Sequence, residues 1–339
     1  MAPEVFYRRI DWPPPIIGKA AAEEEVRRQV PVLIAQVCGQ TPLDLQPQAM
    51  TTYHYVYRVI LKDNECFLKI PKFADSVQGL HLEHYVYTQV LQQENFGLQV
   101  LAFDESRRFG PFAFLLLGKA PGVCLRGIGF DGNFANIIRD LGAKASRCHS
   151  LGQALKGFGP LRMEGADGAP AGTFDRWPDY VLCKHEQHIS DALACGLLDK
   201  ADTPQVDAAM AFLATQVDDI RQGALLHGDL GSHNIFVDQA AGKVSAIIDW
   251  EDACLGDPVF DIAMFASFFR MHEFLKDFVS GYGRCTVEDH QFMRRLWSYY
   301  LRIVIAKGLW GLRTGQEKSA QFKSADKVRL ALRQLRQYT

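Results

Sequence analysis

No apolar run in this chain is long enough to cross a bilayer. The longest strongly apolar stretch, FAFLLLG at 112–118, falls far short of the roughly 20 residues a spanning helix needs. The opening MAPEVFYRRIDWPPP has no apolar signal-peptide core. Neither sign of charge dominates: 37 Lys and Arg against 39 Asp and Glu leave a net charge of −2. That removes the global basic field expected of a nucleic-acid binder. The eight cysteines, at 38, 66, 124, 148, 183, 195, 254 and 285, stand singly, and none forms a CxxC pair. A chain of this size needs no disulfide framework. Internal repeats and low-complexity segments are also missing, and nothing marks an obligate protein partner. The expectation is a cytoplasmic enzyme with reduced thiols, no membrane and no nucleic acid.

What is present fits a globular protein: 339 residues, 48% hydrophobic and 22% charged, enough for two domains or two lobes. In GKAAAEEEVRRQVPVLIAQVCGQ, Val26, Val30, Leu33, Ile34 and Val37 recur at helical spacing, and Pro31 is expected to interrupt or kink the helix. YHYVYRVIL (53–61) and ECFLKIP (65–71) are β-branched and aromatic and flank the turn KDN, which predicts a hairpin. LHLEHYVYTQVLQQE (80–94) returns to helix, and LQVLAFD (98–104) and FAFLLLG look like strands. Residues 1–118 therefore read as a small mixed-sheet lobe, with KAPG at 119–122 as the linker. From 131 onward helices dominate, among them NFANIIRDLGAKASRCHSLG, WPDYVLCKHEQHISDALACGLL, VDAAMAFLATQVDDI, FDIAMFASFF, DHQFMRRLWSYYLRIVIAKGLW and the basic KVRLALRQLRQ. GFGPLRMEGADGAPAG (157–172) reads as a Gly/Pro-rich loop, and the clear strand signals are IFVD (235–238) and VSAIIDW (244–250).

The chemistry-bearing stretch is HGDLGSHN at 227–234, followed by IIDWEDA at 247–253. Phosphoryl transfer needs metal-held phosphates, a cation on the non-transferred phosphates and a carboxylate facing the acceptor hydroxyl. Mg²⁺ takes hard oxygen ligands and keeps several waters, so one carboxylate and one amide oxygen suffice. Kinases supply these parts as Asp-x-x-x-x-Asn, a hairpin, then the metal Asp. Asp229, Asn234, the IFVD–QAAGK–VSAII hairpin and Asp249 stand in that order. Upstream, Lys69 lies in a strand flanked by apolar residues, and Glu83 lies on the next helix.

HGDLGSHN…IIDWEDACLGDPVFDIA resembles the aminoglycoside phosphotransferase family, the small-molecule branch of the protein-kinase-like fold. GDPVFDIA (256–263) and APG (120–122) add to the match, which runs over roughly 20–310. GFGP followed by FDRWPDYVL resembles the hygromycin-kinase-like subgroup. The resemblance implies a bilobal α+β protein, with an N-lobe at 1–118 and a helical C-lobe at 119–339 carrying the catalytic loop and acceptor-binding helices. It implies ATP as donor, with GTP left open, and Mg²⁺. Asp229 is then the catalytic carboxylate, Asn234 and Asp249 the metal ligands, Lys69 the phosphate contact and Glu83 its support. Adenine is expected against the backbone around Leu116, Gly118 and Lys119. His227 is expected to brace the loop rather than bind metal, and a zinc site from His227 and His233 lacks further ligands at the right spacing. Asp257 and Asp261 are expected to organise the lobe, and His149 to be a satisfied core or helix-end histidine.

The phosphate-covering turn departs from the family. AMTTYHYVYRV has no glycine, so Thr51 and Thr52 are left to donate hydroxyl and N–H groups, with Tyr53 and His54 as a bulkier cover. The expected acceptor is a small hydroxylated molecule. Nine Asp and Glu against three Lys and Arg between Thr173 and Ile220 suit a cationic acceptor such as an aminoglycoside antibiotic, but also suit solvated helix faces. A metabolic kinase for an amino alcohol or a sugar is the alternative. A nucleotide-binding pseudokinase is the rival from another class, motivated by the glycine-free turn.

Overall fold

The structure is a computed structural model and describes residues 23–48, 53–73, 76–130, 132–164, 168–314 and 323–338. Thr51 and Thr52, the expected phosphate-turn donors, lie outside them. The first element is helix α1 (Glu23–Cys38), which buries Val26, Val30, Leu33 and Ile34 and continues through Pro31 rather than stopping at it. Then follow β1 (Asp44–Pro47), β2 (His54–Ile60) and β3 (Glu65–Pro71), helix α2 (Ser76–Tyr85), and β4 (Val100–Asp104) and β5 (Phe114–Gly118). The strands form one antiparallel sheet in the order β1-β2-β3-β5-β4. The expected hairpin is present, with Tyr57 opposite Leu68 and Ile60 opposite Glu65. The helix predicted over 80–94 begins earlier, at Ser76, and its last turn widens to π geometry over Val86–Val90.

The KAPG linker turns at Gly122, which has φ +84° and where a Cβ would lie 2.1 Å from Val237 O, so no side chain fits. Beyond it come β6 (Val123–Cys124), α3 (Phe134–Cys148), β7 (Phe158–Met163), β8 (Pro170–Phe174), α4 (Trp177–Val181), α5 (His185–Ala194) and α6 (Thr203–Val217). β9 (Ala224–Leu226), β10 (Ile235–Asp238), β11 (Lys243–Ile247) and β12 (Cys254–Gly256) precede α7 (Pro258–Ala266), α8 (Leu275–Tyr282), α9 (His290–Thr314) and α10 (Ser324–Leu335). The result is a kinase-like α+β architecture, a five-stranded sheet region joined to a mostly helical part. No helix among the described residues is long and apolar enough to cross a membrane.

Two expectations fail in the helical part. The described parts of the Gly/Pro-rich stretch at 157–172 are strand rather than loop: β7 pairs with β8 and also with β12. Phe158, Leu161 and Met163 are buried there, and it is this burial, invisible in a Gly/Pro-rich composition, that makes the segment a strand. The helix predicted from Trp177 breaks into α4 and α5 at Lys184, which takes a left-handed φ of 53°. Carbonyls freed near the break are taken by the buried Arg302, which donates to Val181 O at 3.0 Å and Cys183 O at 2.9 Å. The basic α10 packs on α9 and buries Val328, Leu330, Ala331, Leu332 and Leu335.

Candidate active site

The catalytic-loop candidate starts where β9 ends. Gly228 has φ +79°, and a Cβ there would meet Asp252 O at 2.1 Å, so only glycine fits after His227. Asp261 on α7 takes the two backbone N–H groups at this corner, from His227 at 2.6 Å and from Gly228 at 3.0 Å. His149 Nε2 lies 3.2 Å from the same carboxylate, and its Nδ1 lies 2.9 Å from the Tyr282 hydroxyl. Asp257 caps α7 by accepting the Val259 N–H at 3.1 Å and also binds Arg295 and the Tyr299 hydroxyl. Both aspartates therefore hold the scaffold.

His227 uses both ring nitrogens within the protein. Nδ1 accepts the Asp229 N–H at 3.3 Å, so the proton sits on Nε2, which donates to Ile248 O at 2.9 Å. No lone pair is left for a metal, which removes the zinc alternative at this residue. The ring also lies 4.6 Å from the Trp250 ring. The loop is tied to the β11 exit by the Ile248 N–H, which donates to Asn234 O at 2.9 Å.

Asp229 and Asn234 face the same short turn. Asn234 donates from Nδ2 to Asp229 O at 3.0 Å, which fixes the amide's orientation and makes Oδ1 the atom that could face a cation. Asp229 Oδ2 lies 3.3 Å from His233 Nε2, and Oδ1 lies 3.4 Å from Lys307 Nζ on α9. Lys307 was not singled out in the sequence, where a lysine on a mixed helix carries no signal.

Asp249 follows β11 with φ 69° and ψ 60°, a left-handed conformation that Asp tolerates better than most residues. That turn brings its carboxylate back across to Lys69, at 2.8 Å. Lys69 also contacts Glu83 Oε2 at 2.5 Å, so three expected site residues meet at one ammonium. Burial pushes the Lys69 ammonium down, but the carboxylates of Asp249, Glu83 and Glu251 outweigh it and hold the group well above its ordinary range. Burial pushes the Glu83 carboxyl up, while Lys69 pulls it back. Glu83 is 1% exposed and the Asp249 side chain 37%, so Asp249 is the carboxylate a solvent-borne ion can reach. One such carboxylate and one oriented amide oxygen fit the sparse, hard-oxygen ligand set that Mg²⁺ takes.

Tyr87, four residues after Glu83, is a further member that the sequence reading missed, although i,i+4 spacing on a helix is the signal that could have found it. Its hydroxyl donates to Glu83 Oε1 at 3.2 Å and accepts the Asp249 backbone N–H at 3.2 Å. Burial, reinforced by the Glu83 and Asp249 charges, keeps the phenol protonated. His54 does not act as a cover. It is 3% exposed, with Nδ1 3.2 Å from Glu251 Oε2 and Nε2 3.4 Å from Ser76 O.

The expected nucleotide-edge residues differ from one another. Leu116 is inside the sheet, opposite Leu68 and Ala102, with a fully buried side chain. Gly118 ends β5, its N–H donated to Gln99 O at 2.8 Å. Gly118 is thus still paired in the sheet, and the chain leaves it at Lys119, whose ammonium binds Glu65 at 2.9 Å.

Comparison with known proteins bears on the family and the fold. The family model described as Phosphotransferase enzyme family matches residues 46–296. A hygromycin-B 4-O-kinase of Escherichia coli is 24% identical over 203 residues, covering 58% of this chain and 54% of that protein. The match thus spans about half the length of that relative. In fold, the chain is similar to a thermostable mutant of aminoglycoside phosphotransferase APH(4)-Ia solved as a ternary complex with AMP-PNP and hygromycin B. The TM-score is 0.69 at 19% identity, over 90% of this chain and 98% of that one. It is also similar to the GDP complex of aminoglycoside 2'-phosphotransferase-IIIa, with TM-score 0.64 at 14% identity, over 93% and 98% of the two chains.

Proposed function

The chain belongs to the phosphotransferase enzyme family, and from that premise we propose that it transfers the γ-phosphate of ATP to a hydroxyl of a small molecule. The observation that carries this reading is Lys69. Its ammonium joins Glu83 of the sheet region to Asp249 of the helical region, the contact set a kinase uses to hold non-transferred phosphates. Asp229 takes or orients the acceptor hydroxyl proton. Asn234 and Asp249 hold Mg²⁺, which when bound neutralises charge on the phosphate oxygens. Lys69 contacts the α/β-phosphates, Glu83 steadies it, and the base lies against the backbone from Gly118. GTP as donor stays open.

For the acceptor, an aminoglycoside-type antibiotic is the first reading. The hygromycin kinase relative supports it, as does the excess of nine Asp and Glu over three Lys and Arg between Thr173 and Ile220. A metabolic amino alcohol or sugar is the alternative.

A coupled ADP-release screen over aminoglycosides, amino alcohols and sugars, with Mg-ATP, tests both levels. The expected result is one responsive acceptor class, with Asp229→Ala slowing its turnover by about 10²–10⁴. Equal turnover by Asp229→Ala protein removes the catalytic assignment. Silence on every aminoglycoside, together with unchanged drug susceptibility of an expressing strain, removes the antibiotic reading alone.

A further inference from the structure

We propose that Lys307 is a catalytic residue that binds the phosphoryl group as it passes from the nucleotide to the acceptor. This rests on the phosphotransferase reading above and adds a group outside the motifs that define it. The loop HGDLGSHN contains no Lys or Arg, so a permanent cation on the transferring group has to come from another element. Lys307 supplies one from α9, with Nζ 3.4 Å from Asp229 Oδ1.

The ammonium is held in place by what lies beneath it. Nζ sits 3.7 Å from the centroid of the Phe268 ring, a cation–π contact, and 3.4 Å from Met264 Sδ. The same Phe268 ring packs 5.3 Å from the His233 ring, so the platform is continuous with the catalytic loop. The Lys307 side chain is 25% exposed, which places its charge beside the loop rather than out in solvent. An ammonium carries three N–H donors, so the 3.4 Å contact with Asp229 does not preclude a second anion.

In the transfer, the bond between the γ-phosphorus and the ADP oxygen breaks and the acceptor oxygen–phosphorus bond forms. The acceptor proton goes to Asp229, and ADP leaves with the electron pair. Negative charge spreads over three equatorial oxygens of the moving group. The acceptor oxygen has to lie within about 3 Å of Asp229, so a cation beside that same carboxylate reaches those oxygens. Lys69, engaged by Glu83 and Asp249, serves the phosphates that stay behind. The two lysines thus divide the triphosphate between them.

The test compares binding of Mg-ADP alone with binding of Mg-ADP plus aluminium fluoride, a mimic of the planar phosphoryl group, by titration calorimetry. Wild type is expected to bind the fluoride complex far more tightly than ADP. In Lys307→Met, which keeps the stem on Phe268, ADP affinity stays within about twofold while the tightening falls by about tenfold or more. Lys307→Arg keeps most of the tightening because it keeps the charge. With the responsive acceptor, kcat of Lys307→Met falls by about 10²-fold and KM for ATP barely moves. Lys307→Gln provides a second charge-free variant if the Met variant melts early. Full tightening in folded Lys307→Met or Lys307→Gln protein overturns the proposal. No tightening in wild type overturns the phosphotransferase reading itself.

Discussion

Asp249 donates its backbone N–H to the Tyr87 hydroxyl at 3.2 Å, and that hydroxyl in turn donates to Glu83 at 3.2 Å. One phenol therefore sets both the backbone of the candidate metal ligand and the partner of Lys69. Tyr87→Phe keeps the packing and removes both bonds. The expected outcome is a loss of about 1–3 kcal/mol in stability and a several-fold rise in the Mg²⁺ concentration for half-maximal activity. Thermal melting and a Mg²⁺ titration check it, and a variant matching wild type in both shows the hydroxyl to be idle.

Glu65, at the start of β3, binds Arg58 at 2.5 and 2.9 Å and Lys119 at 2.9 Å. The hydrogen bonds from Arg58 and then Lys119 hold its carboxyl down to about 2. A carboxyl lowered in the folded state stabilises above its unfolded value of about 4.3, and loses that contribution as pH falls toward 2. The melting temperature of Glu65→Gln should therefore lie below wild type by an amount constant from pH 8 to pH 5, worth about 1 kcal/mol. The gap should narrow once pH falls below about 4.3 and close toward pH 2. A gap that widens in acid contradicts the assignment.

Gly228→Ala has no way to fit. The residue has φ +79° and its Cβ would lie 2.1 Å from Asp252 O. The loop must shift, at an expected cost of more than about 2 kcal/mol, with activity falling further than stability because Asp229 is the next residue. Differential scanning calorimetry beside a rate measurement separates the two effects.

Asp261→Asn removes an acceptor from the His227 and Gly228 amides and places an amide NH₂ where an oxygen was needed. Although Asp261 has no contact with the candidate phosphate site, the expected fall in kcat is about 10-fold or more, with destabilisation of about 2–4 kcal/mol. Unchanged kinetics in a folded variant would show that the corner holds without it.

The site was legible where chemistry demands local order. Asp229, Asn234 and Asp249 stand in a fixed sequence around one hairpin, and Lys69 is conspicuous as a charge among apolar strand residues. Lys307 was not legible: it lies on a helix 78 residues away, and only the packing of α9 against α7 and the loop brings it to Asp229. The β7–β8 hairpin was hidden for a different reason. Its glycines and prolines read as breakers, while pairing with β12 supplies the order that propensity withholds. The break at Lys184 depends on Arg302, donated from more than 100 residues downstream.

β5 belongs to two interiors at once. Phe114 and Leu116 face the apolar cluster under α1, while Leu115 and Leu117 face the larger cluster shared by α2 and the helical region. The strand is a common wall, and a one-residue slip would exchange the two sets of side chains. Neither interior can be emptied without exposing the wall of the other, so the sheet region and the helical region are expected to melt together.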